Sequence, residues 1–197
     1  MNKKWLPWAI VGGILVLVVM MFVGMFNGLV SDREKAITAL SNIDSQYQRR
    51  ADLVDNLVRT VKGVSNFEQD TLTQVTNARA QVGKVTIDAS ASSEQIQQYI
   101  EAQSQVTGSL SRLIAVAENY PELKAPGAYQ DLMSQLEGTE NRIQVARSDY
   151  NEIARPYNTR IQTFPTNIFA GMFGFTARPY FEASAGSETA PTVDFGN

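Results

Sequence analysis

Histidine and cysteine are both absent from the 197 residues. Without histidine there is no Ser-His-Asp triad, no histidine-bound zinc or iron, and no imidazole pH switch. The carboxylate di-iron arrangement of helical bundles fails on the same ground, because it uses a Glu-x-x-His on each of two helices. Without cysteine there is no disulfide framework and no thiol for lipid attachment. No segment alternates polar and apolar residues over the length of the helical patterns described below, and no basic stripe suits nucleic acid. Nowhere does the chain group a nucleophile with a base and an oxyanion-stabilising loop. The reading is therefore non-enzymatic, with no cofactor, no metal and no nucleic-acid partner.

Charge is missing altogether from residues 5–31, just after Lys3 and Lys4. Twenty-seven uncharged residues make a helix of roughly 40 Å, more than the ~30 Å hydrocarbon core of a bilayer. The apolar heart of the run, residues 9–26, is interrupted only by glycines. A secretory signal peptide also begins with lysines and an apolar run, but it is shorter and ends in a small-x-small cleavage site. Here the exit reads Phe26-Asn27-Gly28-Leu29-Val30-Ser31. Residues 1–30 are accordingly expected to be a retained single-pass anchor in contact with membrane lipid. Pro7 is compatible with the first helical turn, where its missing N–H has no partner to lose. Trp5 and Trp8, the only tryptophans, both stand at one end of the span, where indoles favour the headgroup layer. Gly24 and Gly28 form a G-x-x-x-G, a spacing that lets two membrane helices approach closely. Lys3 and Lys4 favour a cytoplasmic N-terminus, which puts the remainder outside the cytoplasm.

All 20 acidic residues and 15 of the 17 basic ones follow the anchor, leaving that part five charges negative. Three stretches repeat apolar residues at three- and four-residue spacing, which lines one side of a helix and suits bundle packing. The first runs Leu40, Ile43, Tyr47, Arg50, Val54, Leu57, Val61, Val64. The second is Ile96, Tyr99, Gln103, Val106, Leu110, Leu113, Ala117, Tyr120; the third is Tyr129, Leu132, Leu136, Thr139, Ile143, Ala146, Tyr150, Ile153, Tyr157. These predict an all-α fold, an antiparallel bundle over residues 31–164 with helices near 31–82, 93–120 and 126–162. Ser92 with Gln95 forms a capping box pattern, Pro121 ends the second helix, and Pro126 suits the first turn of the third. Their short connection predicts that the second and third helices are antiparallel neighbours. Pro156 kinks or ends the third helix unless a neighbour supports it. Between residues 31 and 39 there is neither glycine nor proline, so a stiff helix is expected to run from lipid into the bundle. An unbroken helix over 31–82 would reach ~78 Å against ~42 Å for the second helix. Either it breaks near Gly63 and supplies a fourth bundle element, or its surplus length requires other copies.

Arg50 interrupts an apolar seam, and a buried guanidinium needs an acidic partner. Asp44 and Glu140 are the candidates for a clamp that fixes helix register, with a ligand-anion site as the other reading. Residues 165–197 form an apolar short helix and an extended tail. Phe169, Met172, Phe173 and Phe175 are too apolar for a solvated end; they either pack across the bundle or meet a neighbouring subunit, a partner or lipid. The acidic positions Glu137, Glu140, Asp149 and Glu152 read as solvated charge.

Ile43-Asp44 is followed by Gln48-Arg49-Arg50 and the run from Asp52 to Val58, then by the run from Ala115 to Lys124 and by Leu136-Glu137-Gly138-Thr139-Glu140-Asn141-Arg142-Ile143. Ala146-Arg147, Tyr150-Asn151, Tyr157-Asn158, Phe164-Pro165, Gly174-Phe175 and Tyr180-Phe181 follow in order. In these motifs the chain resembles the LemA family. The resemblance implies a bacterial single-pass protein of the inner membrane with an antiparallel helical bundle, and it carries over no catalytic residue. Members often have a histidine before the glutamate aligned with Glu68; here Phe67 stands there, which removes a pH-sensing or metal role. The expected function is a membrane-anchored scaffold that self-assembles at the envelope. The alternative is a mono- or dimeric adaptor whose bundle face binds another envelope protein.

Overall fold

The computed structural model describes residues 5–63, 67–85, 87, 91–124 and 127–182. Six helices occur among them: α1 (Leu6–Lys62), α2 (Gln69–Val82), α3 (Ser93–Ala117), α4 (Pro121–Lys124, a single turn), α5 (Gly127–Gln162) and α6 (Thr166–Met172). No strand occurs among the described residues. Pro126, Val64 and the tail beyond residue 182 lie outside them.

α1 is one uninterrupted helix of 57 residues. A helix satisfies its own backbone groups, so the same element can leave hydrocarbon and enter the bundle without exposing unpaired N–H or C=O groups. Its first two dozen residues are largely exposed, and burial sets in from Leu29. Arg59 and Lys62 occupy its last turn, where cations complement the helix dipole. The helix stops at Gly63, and α2 begins six residues later. The break near Gly63 thus supplies a fourth bundle helix. From residue 31 to Lys62 α1 extends ~48 Å, close to the ~54 Å of α5, so no surplus of helix length is left over.

α3 starts with a complete capping box: the Gln95 N–H donates to Ser92 Oγ at 3.2 Å, and the Ser92 N–H donates to Gln95 Oε1 at 2.8 Å. α5 runs through Pro156, held there by the fully buried Ala154 and Tyr157 on either side of it.

Cross-helix pairs give the direction of each element. Along α1, Asp32, Tyr47 and Arg50 meet α5 at Arg160, Arg147 and Glu140 in turn, so α5 is antiparallel to α1. Asp44 and Arg50 meet α3 at Tyr99 and then Gln103, so α3 is parallel to α1. α2 returns between them, tied to α1 by Arg79 Nη2 and Asp55 Oδ2 at 2.6 Å. The result is an up-down-up-down four-helix bundle. α3 and α5 are antiparallel, as their short connection suggested, but α1 lies closest to α5 and α2 closest to α3.

Three buried clusters stack along the axis. The far one joins Leu57, Val75, Leu113 and Leu136, with the Phe67 ring 4.9 Å from that of Tyr120. The middle one joins Ile43, Ile96, Ile143 and Tyr150. The third, beside the anchor, joins Leu29, Tyr157, Ile161, Ala170 and Phe175. Every described apolar position on the α1 seam is buried.

After α6 the chain turns back along α5. The N–H of Phe175 donates to Ala170 O at 2.9 Å and that of Gly174 to Gly171 O at 3.5 Å, the paired bonds of a Schellman turn. Gly174 sits at φ +71° to allow it. Residues 176–182 then run extended and antiparallel to α5. The Asn158 amide bonds both the N–H and the C=O of Arg178, at 2.8 Å each, and Asn151 does the same for Phe181, at 3.0 and 2.8 Å. Seven helical residues span ~10.5 Å and three extended residues ~10 Å, so the two amides match the pitch of the strap. Gly174→Ala is expected to lower stability by about 1–2 kcal/mol, the cost of a left-handed conformation in an L residue, with Gly174→Asn losing less. Thermal unfolding of the full chain in detergent checks both.

Candidate functional site

Two places combine sequence-predicted residues: the polar layer around Arg50 and the junction where α5, α6 and the anchor meet. Arg50 is 1% exposed and leaves α1 toward α3 and α5. Its Nη1 donates to Thr107 Oγ1 at 2.8 Å and Glu140 Oε2 at 3.1 Å. Its Nη2 donates to Gln103 Oε1 at 2.6 Å and Gln103 O at 3.3 Å, and the guanidinium lies 4.8 Å from the Tyr47 ring centroid. One side chain thus joins three helices in a single register.

Asp44 is not an Arg50 partner, contrary to the sequence expectation. Six residues are one and two-thirds turns, which separates the two side chains by about 120° around α1. Asp44 instead accepts from the Tyr99 hydroxyl and from Gln48 Nε2 at 2.8 Å. Arg147 Nε and Nη2 donate to the Tyr47 hydroxyl at 2.9 and 2.7 Å, a contact the sequence reading missed. Its only cue was Ala146-Arg147 beside the α5 seam. A cavity of about 460 Å³ opens beside this layer, with Asp44, Arg50, Arg79 and Tyr99 in its wall. Burial pushes the Tyr99 phenol up, and its bond to the Asp44 carboxylate pushes it the same way. Burial pushes Tyr150 up to about 12, with the Arg178 charge pulling against it.

At the junction, Arg160 Nη1 bonds Asp32 Oδ2 at 2.6 Å. The arm of Arg160 crosses Gly28, where an added Cβ would meet Nη1 at 2.9 Å. Gly24 has open space around it. Within this chain, Gly28 is thus crossed by α5, whereas Gly24 is not covered. Trp5 and Trp8 are exposed at the other end of the span.

α6 packs on the anchor. The Phe22 and Phe169 rings meet edge to face at 4.2 Å, Phe26 meets Phe173 at 5.2 Å and Phe175 at 5.7 Å, and Arg33 lies over Phe175 at 5.5 Å. Of the four tail residues named from sequence, Phe169 is half-buried and Phe175 buried, whereas Met172 and Phe173 are exposed. Ile168, one helical turn before Met172, is exposed as well, and so is Phe164, two residues ahead of the helix. The Ile168–Met172 spacing was the overlooked signal.

Arg50→Ala is expected to cost about 3–5 kcal/mol by stranding Gln103 and Glu140, and Arg50→Met clearly less, because the apolar chain still fills the site. Urea unfolding of both variants measures the difference. High pH is the second test. Unfolded Tyr150 ionises near 10, but the folded residue holds its proton to about 12. Its contribution is full below pH 10 and is lost as pH rises through 12. Melting temperature should therefore fall across that range, less steeply in Tyr150→Phe.

The sequence model of the LemA family matches residues 39–195. Protein LemA of Metamycoplasma hominis is 28% identical over 83% of this chain and 71% of its own length. Magnetosome protein MamQ 2 of Paramagnetospirillum magneticum is 28% identical, over 83% of this chain and 67% of its own. Magnetosome protein MamQ of Magnetospirillum gryphiswaldense is 25% identical over the same shares. With most of the soluble part matched, this membrane-anchored helical chain belongs to the LemA family.

Proposed function

We propose that the protein is a non-enzymatic scaffold of the bacterial inner membrane, its bundle outside the cytoplasm, that assembles with copies of itself. The observation that carries this reading is the unbroken passage of α1 from exposed apolar residues into the bundle, braced by Arg160 on Asp32 and across Gly28. Such a joint fixes the attitude of the bundle relative to the bilayer. Copies held in one plane with one attitude have already surrendered most of the freedom that association costs. The polar layer supports a structural role, because Arg50, Asp44 and Glu140 are occupied with partners inside the bundle.

A second reading, an adaptor that presents its bundle to another envelope protein as a monomer or dimer, is favoured by α2. Folding back on α3, it completes the four-helix core within one chain. Particle mass in mild detergent separates the two: the scaffold predicts a large, uniform assembly, and a mono- or dimeric mass supports the adaptor. For sidedness, Gln98→Cys places the sole thiol of the chain on the exposed face of α3. It is expected to react with an impermeant maleimide from outside the inner membrane; labelling only after lysis would reverse the orientation.

A further inference from the structure

We propose that α6 is a second membrane-inserted element, lying in the leaflet next to the bundle with Ile168 and Met172, and Phe164 just ahead of it, among the acyl chains. An acyl chain occupies the groove between α6 and the anchor. The inference rests on α1 being a membrane anchor and adds a second lipid contact to it.

Depth is the first support. Leu6 to Phe26 is 21 residues, a helix of ~32 Å that matches the ~30 Å hydrocarbon core. With Phe26 at the boundary, Phe22 lies one turn, ~6 Å, inside it. Phe169 of α6 rests on Phe22, and interfacial helices sit ~5–10 Å into the headgroup–acyl boundary. Composition agrees: residues 161–177 carry no charge and are flanked by Arg160 and Arg178. Arg160 is paired to Asp32, six residues beyond Phe26, on the headgroup side.

Continuity is the second support. The exposed Met172 and Phe173 adjoin the anchor around Phe22 and Phe26, so the medium that covers one covers the other. The groove between them holds about 430 Å³ and is walled by apolar side chains, Phe22, Phe26, Leu29, Phe169 and Met172 among them. In water this would be an apolar patch without a cover; at this depth the leaflet supplies one.

Because the two tryptophans are Trp5 and Trp8, a Trp5→Phe/Trp8→Phe background is free of indole. In that full-length background, reconstituted in phosphatidylcholine vesicles, three single-tryptophan proteins are compared: Met172→Trp on α6, Val16→Trp near mid-anchor and Val145→Trp on α5. Ile168→Trp replaces Met172→Trp if that variant loses helical circular dichroism. Lipids brominated near the glycerol end of the chain should remove most of the α6 emission, and those brominated near the terminal methyl less. Val16→Trp should show the opposite order and Val145→Trp no quenching. If Val16→Trp is quenched and the α6 probe is not, α6 lies outside the leaflet and the inference fails while the anchor stands. Blue-shifted α6 emission that ignores bromine and grows with protein density would assign the patch to a second copy, which also overturns it. An unquenched Val16→Trp would overturn the anchor and this inference together.

Discussion

The helical continuity of α1 across the lipid boundary is the constraint on which the other features depend. Hydrocarbon tolerates a backbone only if its polar groups are paired within the element, and α1 meets that demand without needing to end. Because it does not end, the bundle begins in the phase and direction that the anchor dictates. α5 can then brace the joint from outside, with Arg160 laid over Gly28 and onto Asp32. A glycine there gives the guanidinium its path; a larger side chain would push the arm away from the joint.

The polar layer has a comparable role further up. Burying Arg50 is expensive unless nearly all of its donors are used, and here both terminal nitrogens are. The donors are consumed by groups on two other helices, so a slip of either by one turn would leave charge stranded in the core. Tyr47, between Arg50 and Arg147, extends the same requirement along the bundle.

The long helices were legible because periodic apolar spacing is a property of each segment alone, and the Ser92 capping box and the weak point near Gly63 are likewise local. The partner of Arg50 was half legible: Glu140 followed from the need for an acid, but Asp44 was excluded only by helix phase and by Tyr99. Helix pairing was not legible, since a periodic seam says which side of a helix is covered but not which neighbour covers it. The strap was invisible as structure, although its parts, Asn151, Asn158 and Phe181, were visible as residues. Nothing in an isolated asparagine says that it will bond a backbone segment 20 or 30 positions away.

The antiparallel match of α1 with α5 also has a bearing on how the molecule is made. Arg147 and Arg160 lie 100 and 128 positions after the α1 residues they bond. α1 therefore leaves the ribosome first, and its main packing partner is the last long helix to emerge. Contacts of such wide separation close slowly, because the intervening loop entropy is lost before they form. The nascent chain thus waits, already moored, with one greasy face of its oldest helix uncovered until the last long one arrives.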